Sequence, residues 1–358
     1  MDRNVTTSPA AFIRRRIADV SAYHVEPYPV EVILDANESP YPPPPALAGR
    51  LRKIMDDVAF NRYPDMNARA LRRAIAKMEG VDEAEILLGN GSDEIISYLI
   101  QATLDPGGWI LTPTPTFSMY KHIAHCLNVE TAEVPLLDDW SVDIAKTLNE
   151  IKNKKPGVIF LASPNNPTGA CVSPSALTAI IESAPGLVIV DEAYVDFADS
   201  SVGPLFRKRP NVVILKTLSK AGFAALRLGY MMADRQLVNE VNKTRLPYNI
   251  NSLTQALATE VVSGWSELLP LFSEIKKERE RMFANLASIP FMKPYPSQAN
   301  FILAQVNKDV ETVFGSLLKN GVRVRWFKGS ARLGDFFRIT IGSPAENDRF
   351  INSLKSMT

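Results

Sequence analysis

The chain has 358 residues, a formal net charge of +1, 46% hydrophobic and 22% charged residues. This length suits one large domain with a smaller one, and the composition is that of a folded enzyme and excludes a disordered chain. The nearly neutral charge gives no reason to expect nucleic acid or an acidic membrane surface as a partner.

The cysteine content and the hydropathy pattern indicate the cellular compartment in which the protein is expected. Two cysteines, Cys126 and Cys171, cannot form a disulfide framework, and together with three histidines they show no metal-ligand spacing. No run of about 18 apolar residues and no signal-peptide core is present, so we expect no membrane span. These features predict a metal-free protein of the reducing cytoplasm.

The predicted elements begin with an N-terminal arm, residues 1–45. It contains a helical pattern at 10–20, a short extended run at 32–34 and four successive prolines at 42–45. Four prolines in a row exclude helix at those positions and favour an extended polyproline II conformation.

Strands and helices then alternate through a predicted large domain, residues 46–250. The predicted helices lie at 46–58, 68–77, from 93, 117–126, 144–151 and 174–183, and the predicted strands at 86–88, 109–111, 129–134, 158–161, 187–190, 212–215 and 228–232. Such alternation is typical of an α/β fold, a mainly parallel sheet with helices on both faces.

Residues 251–358 show a different order and predict a smaller α+β C-terminal domain, packed with the arm. The predicted helices lie at 252–263, 265–286, 310–320 and 344–356, and the predicted strands at 301–305, 322–326 and 336–341.

Polar motifs follow four predicted strands of the large domain. They are G-N-G-S-D-E at 89–94, N-N-P-T-G at 165–169, D-E-A-Y at 191–194 and T-L-S-K at 217–220. Ligands of parallel α/β sheets bind beyond the carboxyl ends of the strands, so we expect these motifs to meet at one site.

Each motif has a chemical interpretation and a plainer one. Lys220 is a candidate Schiff-base anchor for an aldehyde cofactor, or a surface lysine. The glycine turn at 89–92 opens a helix, as phosphate sites do, or is an ordinary turn. Asp191 ends a buried strand and needs a partner such as a protonated pyridine nitrogen, unless it caps a helix or binds a metal. The asparagines at 165–166 either donate to a phenolate oxygen or bond their own turn.

Together, and in this order, the motifs resemble those of the fold-type I pyridoxal-phosphate aminotransferases of class II, and within that family the histidinol-phosphate aminotransferases. The resemblance runs almost end to end, through A-N-E-S-P-Y, G-N-G-S-D-E, S-P-N-N-P-T-G, D-E-A-Y, T-L-S-K, L-P-Y-N-I-N, A-N-F and F-R-I-T-I-G. It implies the fold-type I architecture and pyridoxal 5'-phosphate as cofactor.

The resemblance also implies roles at the cofactor. Lys220 would be the covalent anchor and proton shuttle, and Asp191 would hold the pyridinium. Asn166 and Tyr194 would bond the ring oxygen, and Phe117 would stack on the ring where many members have tyrosine. The implied phosphate ligands are Gly91, Ser92, Asp93, Ser219 and Arg227, with Tyr63 contributed by the partner subunit of a homodimer.

At the substrate end, Arg338 matches the arginine that binds the α-carboxylate, and Arg325 the one that grips a substrate phosphate. Arg323 lies two residues earlier and points the same way along the strand, so the choice between the two stays open. Tyr23 and the Asn37–Glu38 pair would close the site over an imidazole.

The implied reaction is a ping-pong transfer of an amino group between L-glutamate and imidazole acetol phosphate, which yields L-histidinol phosphate and 2-oxoglutarate in histidine biosynthesis. Three alternatives remain at this point. They are an aminotransferase for aromatic amino acids, a threonine-phosphate decarboxylase on the same fold, and a non-catalytic cofactor-binding regulator.

Overall fold

A computed structural model describes residues 9–22, 29–206 and 209–357 of the chain. The strands are β1 Val32–Leu34, β2 Ile86–Asn90, β3 Trp109–Thr114, β4 Glu130–Pro135, β5 Val158–Ala162, β6 Leu187–Asp191, β7 Val212–Thr217, β8 Leu228–Met232, β9 Met292–Pro294, β10 Phe301–Val306, β11 Val322–Trp326 and β12 Phe336–Thr340. The α-helices are α1 Arg15–Ala18, α2 Pro45–Asp56, α3 Arg69–Glu79, α4 Ser92–Thr103, α5 Met119–Cys126, α6 Ile144–Lys154, α7 Pro174–Ser183, α8 Gly203–Phe206, α9 Arg235–Val241, α10 Ser252–Ser263, α11 Leu269–Ala287, α12 Val310–Lys319 and α13 Pro344–Lys355.

One sheet has seven strands in the order β2-β8-β7-β6-β5-β3-β4. Every residue of β5 is buried, as is typical of a strand covered on both faces. All neighbouring pairs are parallel except those that β8 makes with β2 and β7. The predicted α/β fold with a mainly parallel sheet is therefore confirmed.

The reversed direction of β8 has a consequence for the site. The other strands of this sheet end at one edge, whereas β8 begins there, because it runs antiparallel to β7. Arg227, which immediately precedes β8, is thereby placed at the same edge as the loops that follow β2, β6 and β7. Arg227, which precedes its strand, therefore lies at the same sheet edge as residues that follow their strands.

A second sheet has five strands in the order β1-β11-β12-β10-β9. Its strand β1 comes from the N-terminal arm and pairs in parallel with β11, while the other pairs are antiparallel. Val32 and Leu34 are buried and Ile33 between them is exposed, so only one face of β1 packs on the core. The residues that follow β1 are therefore held beside the C-terminal strands.

Several element boundaries differ from the sequence predictions. Helix α2 begins at Pro45, within the proline run expected to be extended, because proline is well tolerated in the first turn of a helix. The pattern at 10–20 forms only a 3-10 turn, Pro9–Phe12, and the short α1. The long helix expected at 265–286 starts as a 3-10 turn, Trp265–Leu268, before α11.

Three short elements were not predicted: α8, α9 and β9. Among the helices of the described residues, none combines the length and apolar character needed to cross a bilayer.

A substitution at Gly229 tests how closely β8 packs against the start of α4. A Cβ at this position would lie 2.5 Å from both the Gly91 carbonyl carbon and the Ser92 amide nitrogen, and neither backbone atom can yield easily. We expect Gly229→Ala to lower the free energy of unfolding by about 1–3 kcal/mol, as overpacking does in tight cores. Urea unfolding measures the change.

Gly315→Ala is the matched control, because nothing lies within 4 Å of its added Cβ in the interior of α12. It should stabilise the protein by up to about 1 kcal/mol through helix propensity. Equal stability of the two variants would contradict the close approach.

Candidate active site

A cavity of about 800 Å³ lies at the strand-end edge of the large sheet and is bordered on one side by β11 and β12. The structure brings nearly all of the predicted site residues to its wall. They are Asn37, Gly91, Ser92, Asp93, Phe117, Asn166, Asp191, Tyr194, Ser219, Lys220, Arg227, Arg325 and Arg338, with Glu38 and Arg323 beside them.

Two predicted residues are not in this group. Tyr63 is 82% exposed and stacks on Tyr248 with ring centroids 4.7 Å apart, away from the cavity of its own chain. Tyr23 lies outside the residues that the structure describes.

One end of the cavity is built to receive an anion. Helix α4 begins after Gly91, which has a φ of +77°, and Gly91, Ser92 and Asp93 line the cavity, so the helix N-terminus with its unpaired backbone N–H groups borders it. A Cβ on Gly91 would lie 2.7 Å from Nη2 of Arg227, so only glycine lets the guanidinium sit over this helix terminus. A helix N-terminus combined with an arginine is a suitable phosphate site.

Side chains around this end are held by hydrogen bonds. The Thr217 hydroxyl bonds the Ser219 hydroxyl at 3.0 Å and also donates to the Leu228 carbonyl oxygen at 3.0 Å. Burial raises the pKa of the Asp93 carboxyl, while the positive charges of Arg227 and Lys220 oppose the rise.

Asp191 is 4% exposed at the end of β6. Its Oδ2 accepts a hydrogen bond from the Tyr120 hydroxyl at 2.5 Å, and its Oδ1 accepts one from the Ala193 amide at 3.0 Å. None of the basic side chains in the described ranges forms an ion pair with it. Loss of hydration therefore raises the pKa of Asp191 to about 6, although both hydrogen bonds act to lower it.

Tyr120 is a site residue that the sequence motifs did not indicate. Its ring is fully buried, stacked on Phe160 with centroids 4.6 Å apart and edge-on to Phe117 at 5.5 Å. Burial, followed by the charge of Asp191, raises the pKa of the Tyr120 phenol well above its usual value, so the phenol remains a donor. The available signal was its place three residues after Phe117, beyond the end of β3.

Asn37 joins the N-terminal arm to the site. It has a φ of +54°, is 1% exposed, and donates from Nδ2 to the Tyr194 hydroxyl oxygen at 3.0 Å. Thr340 donates to its Oδ1, and Asn300 to its backbone carbonyl oxygen. Asn37 therefore orients Tyr194 as well as lining the cavity.

Lys220 also lines the cavity. Its Nζ donates to the Ala36 carbonyl oxygen at 3.3 Å and lies 5.8 Å from the centroid of the Tyr194 ring. The amine is thus beside the N-terminal arm and Tyr194, in the cavity that Arg227 and the arginines of the five-stranded sheet also line.

Those arginines form the opposite end of the cavity. Arg338 donates from Nη1 to Oδ1 of Asn166 at 2.6 Å and from Nη2 to the backbone carbonyl oxygen of Asp35. Arg325 lies directly opposite Arg338 in the β11–β12 register. Arg323 is engaged by the side chain of Asp35, which the sequence motifs had also not indicated.

Glu192, the neighbour of Asp191 in the D-E-A-Y motif, points away from this cavity. It is 1% exposed, and its Oε1 accepts hydrogen bonds from the amides of Val202 and Gly203 and from the Ser201 hydroxyl. Its carboxylate therefore stabilises the chain that enters α8.

Comparison with known proteins identifies the family. Residues 30–354 match the family described as aminotransferase class I and II. The chain belongs to that family. The histidinol-phosphate aminotransferase 2 of Nitrosococcus oceani is 39% identical over 353 residues, which cover 97% of each chain. The histidinol-phosphate aminotransferase of Chromobacterium violaceum is 38% identical over 345 residues, covering 96% of this chain and 97% of that one.

Solved structures give the same fold for this aminotransferase. The histidinol-phosphate aminotransferase of Sinorhizobium meliloti in complex with pyridoxal-5'-phosphate superposes with a TM-score of 0.88 at 22% identity, covering 98% of this chain and 100% of that one. The L-threonine-O-3-phosphate decarboxylase of Porphyromonas gingivalis superposes with a TM-score of 0.79 at 21% identity, covering 91% and 99%. The predicted fold-type I architecture is confirmed.

The raised pKa of Asp191 predicts how the cofactor-free aminotransferase responds to pH. Because the folded-state pKa is about 6 and the ordinary value is 3.8, folding disfavours the ionised form. The resulting penalty is absent below about pH 4, develops as pH rises, and is complete above about pH 6, where it reaches about 3 kcal/mol. Asp191→Asn should therefore be more stable than the parent at pH 7 by up to this amount, with the difference vanishing near pH 4.

Urea unfolding between pH 4 and pH 8 measures this difference. Asp138→Asn, which changes an exposed carboxylate, is the control and should follow the parent at every pH. An Asp191→Asn protein with the same pH dependence as the parent would contradict the burial argument.

Proposed function

We propose that this aminotransferase uses pyridoxal 5'-phosphate to interconvert L-histidinol phosphate plus 2-oxoglutarate and imidazole acetol phosphate plus L-glutamate. The observation that carries the proposal is the pair Arg325 and Arg338, which face each other across β11 and β12 and line the same cavity as Lys220. Relatives that bear this name and align over nearly their full length support it.

The residues present fit the cofactor. The start of α4 and the Arg227 guanidinium line the cavity together and would hold the phosphate, and Gly91 lets the guanidinium lie against the helix start, since a Cβ there would come within 2.7 Å of Arg227 Nη2. Asp191 is a buried carboxylate that no basic side chain of the described residues neutralises, and a protonated pyridine nitrogen would do so. When bound, such a cofactor supplies an electron sink for the carbanion at the substrate Cα.

The chain's own groups then bind, orient and move protons. The Lys220 amine would anchor the cofactor and, once released, carry the proton to and from the substrate Cα. Tyr194, oriented by Asn37, and Asn166, whose amide nitrogen makes no hydrogen bond to the described residues, would hold the ring oxygen. Phe117 would cover the ring, and its edge contact with Tyr120 supports that position.

The arginines would accommodate both substrates. Histidinol phosphate carries a phosphate and no carboxylate, whereas glutamate carries two carboxylates. A guanidinium presents paired N–H donors that suit either group, so one arginine pair can serve both half-reactions.

The proposal includes a homodimer in which Tyr63 completes the phosphate site of the other subunit. Its support is the exposure of apolar side chains around Tyr63, including Phe60 at 76% and Leu246 at 70%. A contiguous exposed apolar surface is typical of a protein interface.

The lysine assignment is tested by Lys220→Ala. We expect a loss of turnover and of the covalent cofactor adduct that borohydride reduction leaves on the parent, because among the described residues no other lysine lines the cavity. Mass mapping of the reduced protein locates the adduct. Lys243→Ala, an exposed lysine paired with Glu240, is the control and should keep both. Near-normal transamination by Lys220→Ala would refute the assignment.

The substrate assignment is tested by comparing histidinol phosphate with phenylalanine. Arg325→Ala should lower kcat/KM for histidinol phosphate by about 100-fold, since each charge-assisted hydrogen bond lost contributes about 1.5–3 kcal/mol. It should lower kcat/KM for phenylalanine, which has no phosphate, far less, because in a ping-pong reaction this ratio reports the phenylalanine half-reaction alone.

Equal losses on both substrates, or a parent enzyme that prefers phenylalanine, would favour an aromatic aminotransferase. Release of carbon dioxide from threonine phosphate without a keto acid would favour a decarboxylase.

A further inference from the structure

Four charged residues occupy one face of the five-stranded sheet and border the cavity: Asp35, Arg323, Arg325 and Arg338. Strands β1 and β11 run in parallel with Leu34 beside Val324, so the next residues along, Asp35 and Arg325, are neighbours. Arg323 precedes Arg325 by two residues and shares its face, and Arg338 lies opposite Arg325.

Asp35 and Arg323 form a largely buried ion pair. Nε of Arg323 lies 2.8 Å from Oδ2 of Asp35, and its Nη2 donates to Oδ1 at 3.3 Å. Only 14% of the arginine side chain and 10% of the aspartate side chain are exposed. At this burial each charge needs the other, because removing one partner leaves an uncompensated charge.

Arg325 is held differently. It forms no hydrogen bond or ion pair within the ranges that the structure describes, and its guanidinium lies 6.0 Å from the centroid of the Phe327 ring. Like charges directly opposite each other on antiparallel strands repel, so Arg325 and Arg338 favour an anion between them.

We propose that Asp35 is a specificity-determining residue of this site: it binds Arg323 and withholds it, so that Arg325 and Arg338 receive the substrate's anionic group. Three guanidinium groups and one carboxylate give these four residues a charge of +3 − 1 = +2, which matches the dianion of a phosphate monoester. Glu38 also borders the cavity, but its side chain is exposed to solvent. This inference rests on the proposed function and names the group that selects its substrate class.

Two roles of Arg323 in anion binding lead to different results for the variants. If Asp35 holds Arg323 away from the anion, Arg323→Met weakens anion binding only because it leaves the Asp35 carboxylate unpaired beside Arg325. Removing that carboxylate as well then restores binding. If Arg323 itself grips the phosphate, removing Asp35 restores nothing.

The test compares the cofactor-loaded parent with Arg323→Met, Asp35→Asn and the double variant Asp35→Asn/Arg323→Met. Calorimetry gives the Kd of glycerol 3-phosphate, a phosphate monoester without an amine, and of succinate, a dicarboxylate. Arg73→Met, which removes an arginine from an exposed pair with Glu83, is the control and should leave both values unchanged.

We expect Arg323→Met to raise the Kd of glycerol 3-phosphate about tenfold, since an unpaired carboxylate on the chain next to β11 opposes an anion strongly at low ionic strength. The double variant should return within about threefold of the parent. Asp35→Asn should lower the Kd of both probes and reduce the ratio of their two Kd values, because the cavity loses one negative charge and no carboxylate of residue 35 holds Arg323.

A double variant at least tenfold weaker than the parent would overturn the inference, as would an Asp35→Asn protein with unchanged affinity for both probes. Should Arg323→Met fail to fold, the double variant, which buries no unpaired charge, still decides the question. Because these Kd values need no turnover, a parent enzyme inactive on histidinol phosphate would refute the proposed function and leave this inference to be judged on binding alone.

Discussion

The rest of the site depends on the buried carboxylate of Asp191. A charged group with 4% exposure at the end of a fully packed strand is costly unless donors or a cation stabilise it. Tyr120 and Ala193 provide two donors, yet burial still raises the pKa to about 6. Because the Asp191 carboxylate still lacks a positively charged partner among the described residues, this edge of the sheet is suited to a cationic ring. A family whose chemistry depends on an electron-withdrawing cofactor has a physical reason to keep a carboxylate there.

Two backbone features bring a helix N-terminus and an arginine to the same cavity as that carboxylate. The antiparallel β8 brings Arg227 to the edge where the other strands end. Glycines at 91 and 229 then let the start of α4, β8 and the guanidinium of Arg227 approach more closely than any Cβ would permit. Helix terminus and arginine thus form one anion site from segments more than a hundred residues apart in the sequence.

The N-terminal arm links the two sheets. Its strand β1 adds to the C-terminal sheet, and the residues directly after it contact three functional groups: Asp35 the arginines, Ala36 the lysine, and Asn37 the tyrosine. These contacts therefore connect the arginines of the five-stranded sheet with Lys220 and Tyr194. The ion pair Asp35–Arg323 lies within this link, and it is the basis of our proposal that Asp35 influences which anion the cavity accepts.

The sequence by itself determined the mainly parallel α/β sheet and most of its helices and strands, because the alternation of strands and helices is a local pattern. It also determined which motifs meet, because parallel strands end at the same edge of a sheet. It also indicated Lys220, Asp191 and Arg227 as neighbours in the cavity. Only the tertiary structure decided that Tyr120 supports Asp191 and that Arg323 is engaged by Asp35. These contacts join residues 71 and 288 positions apart, and no local periodicity encodes which side chains meet across such distances.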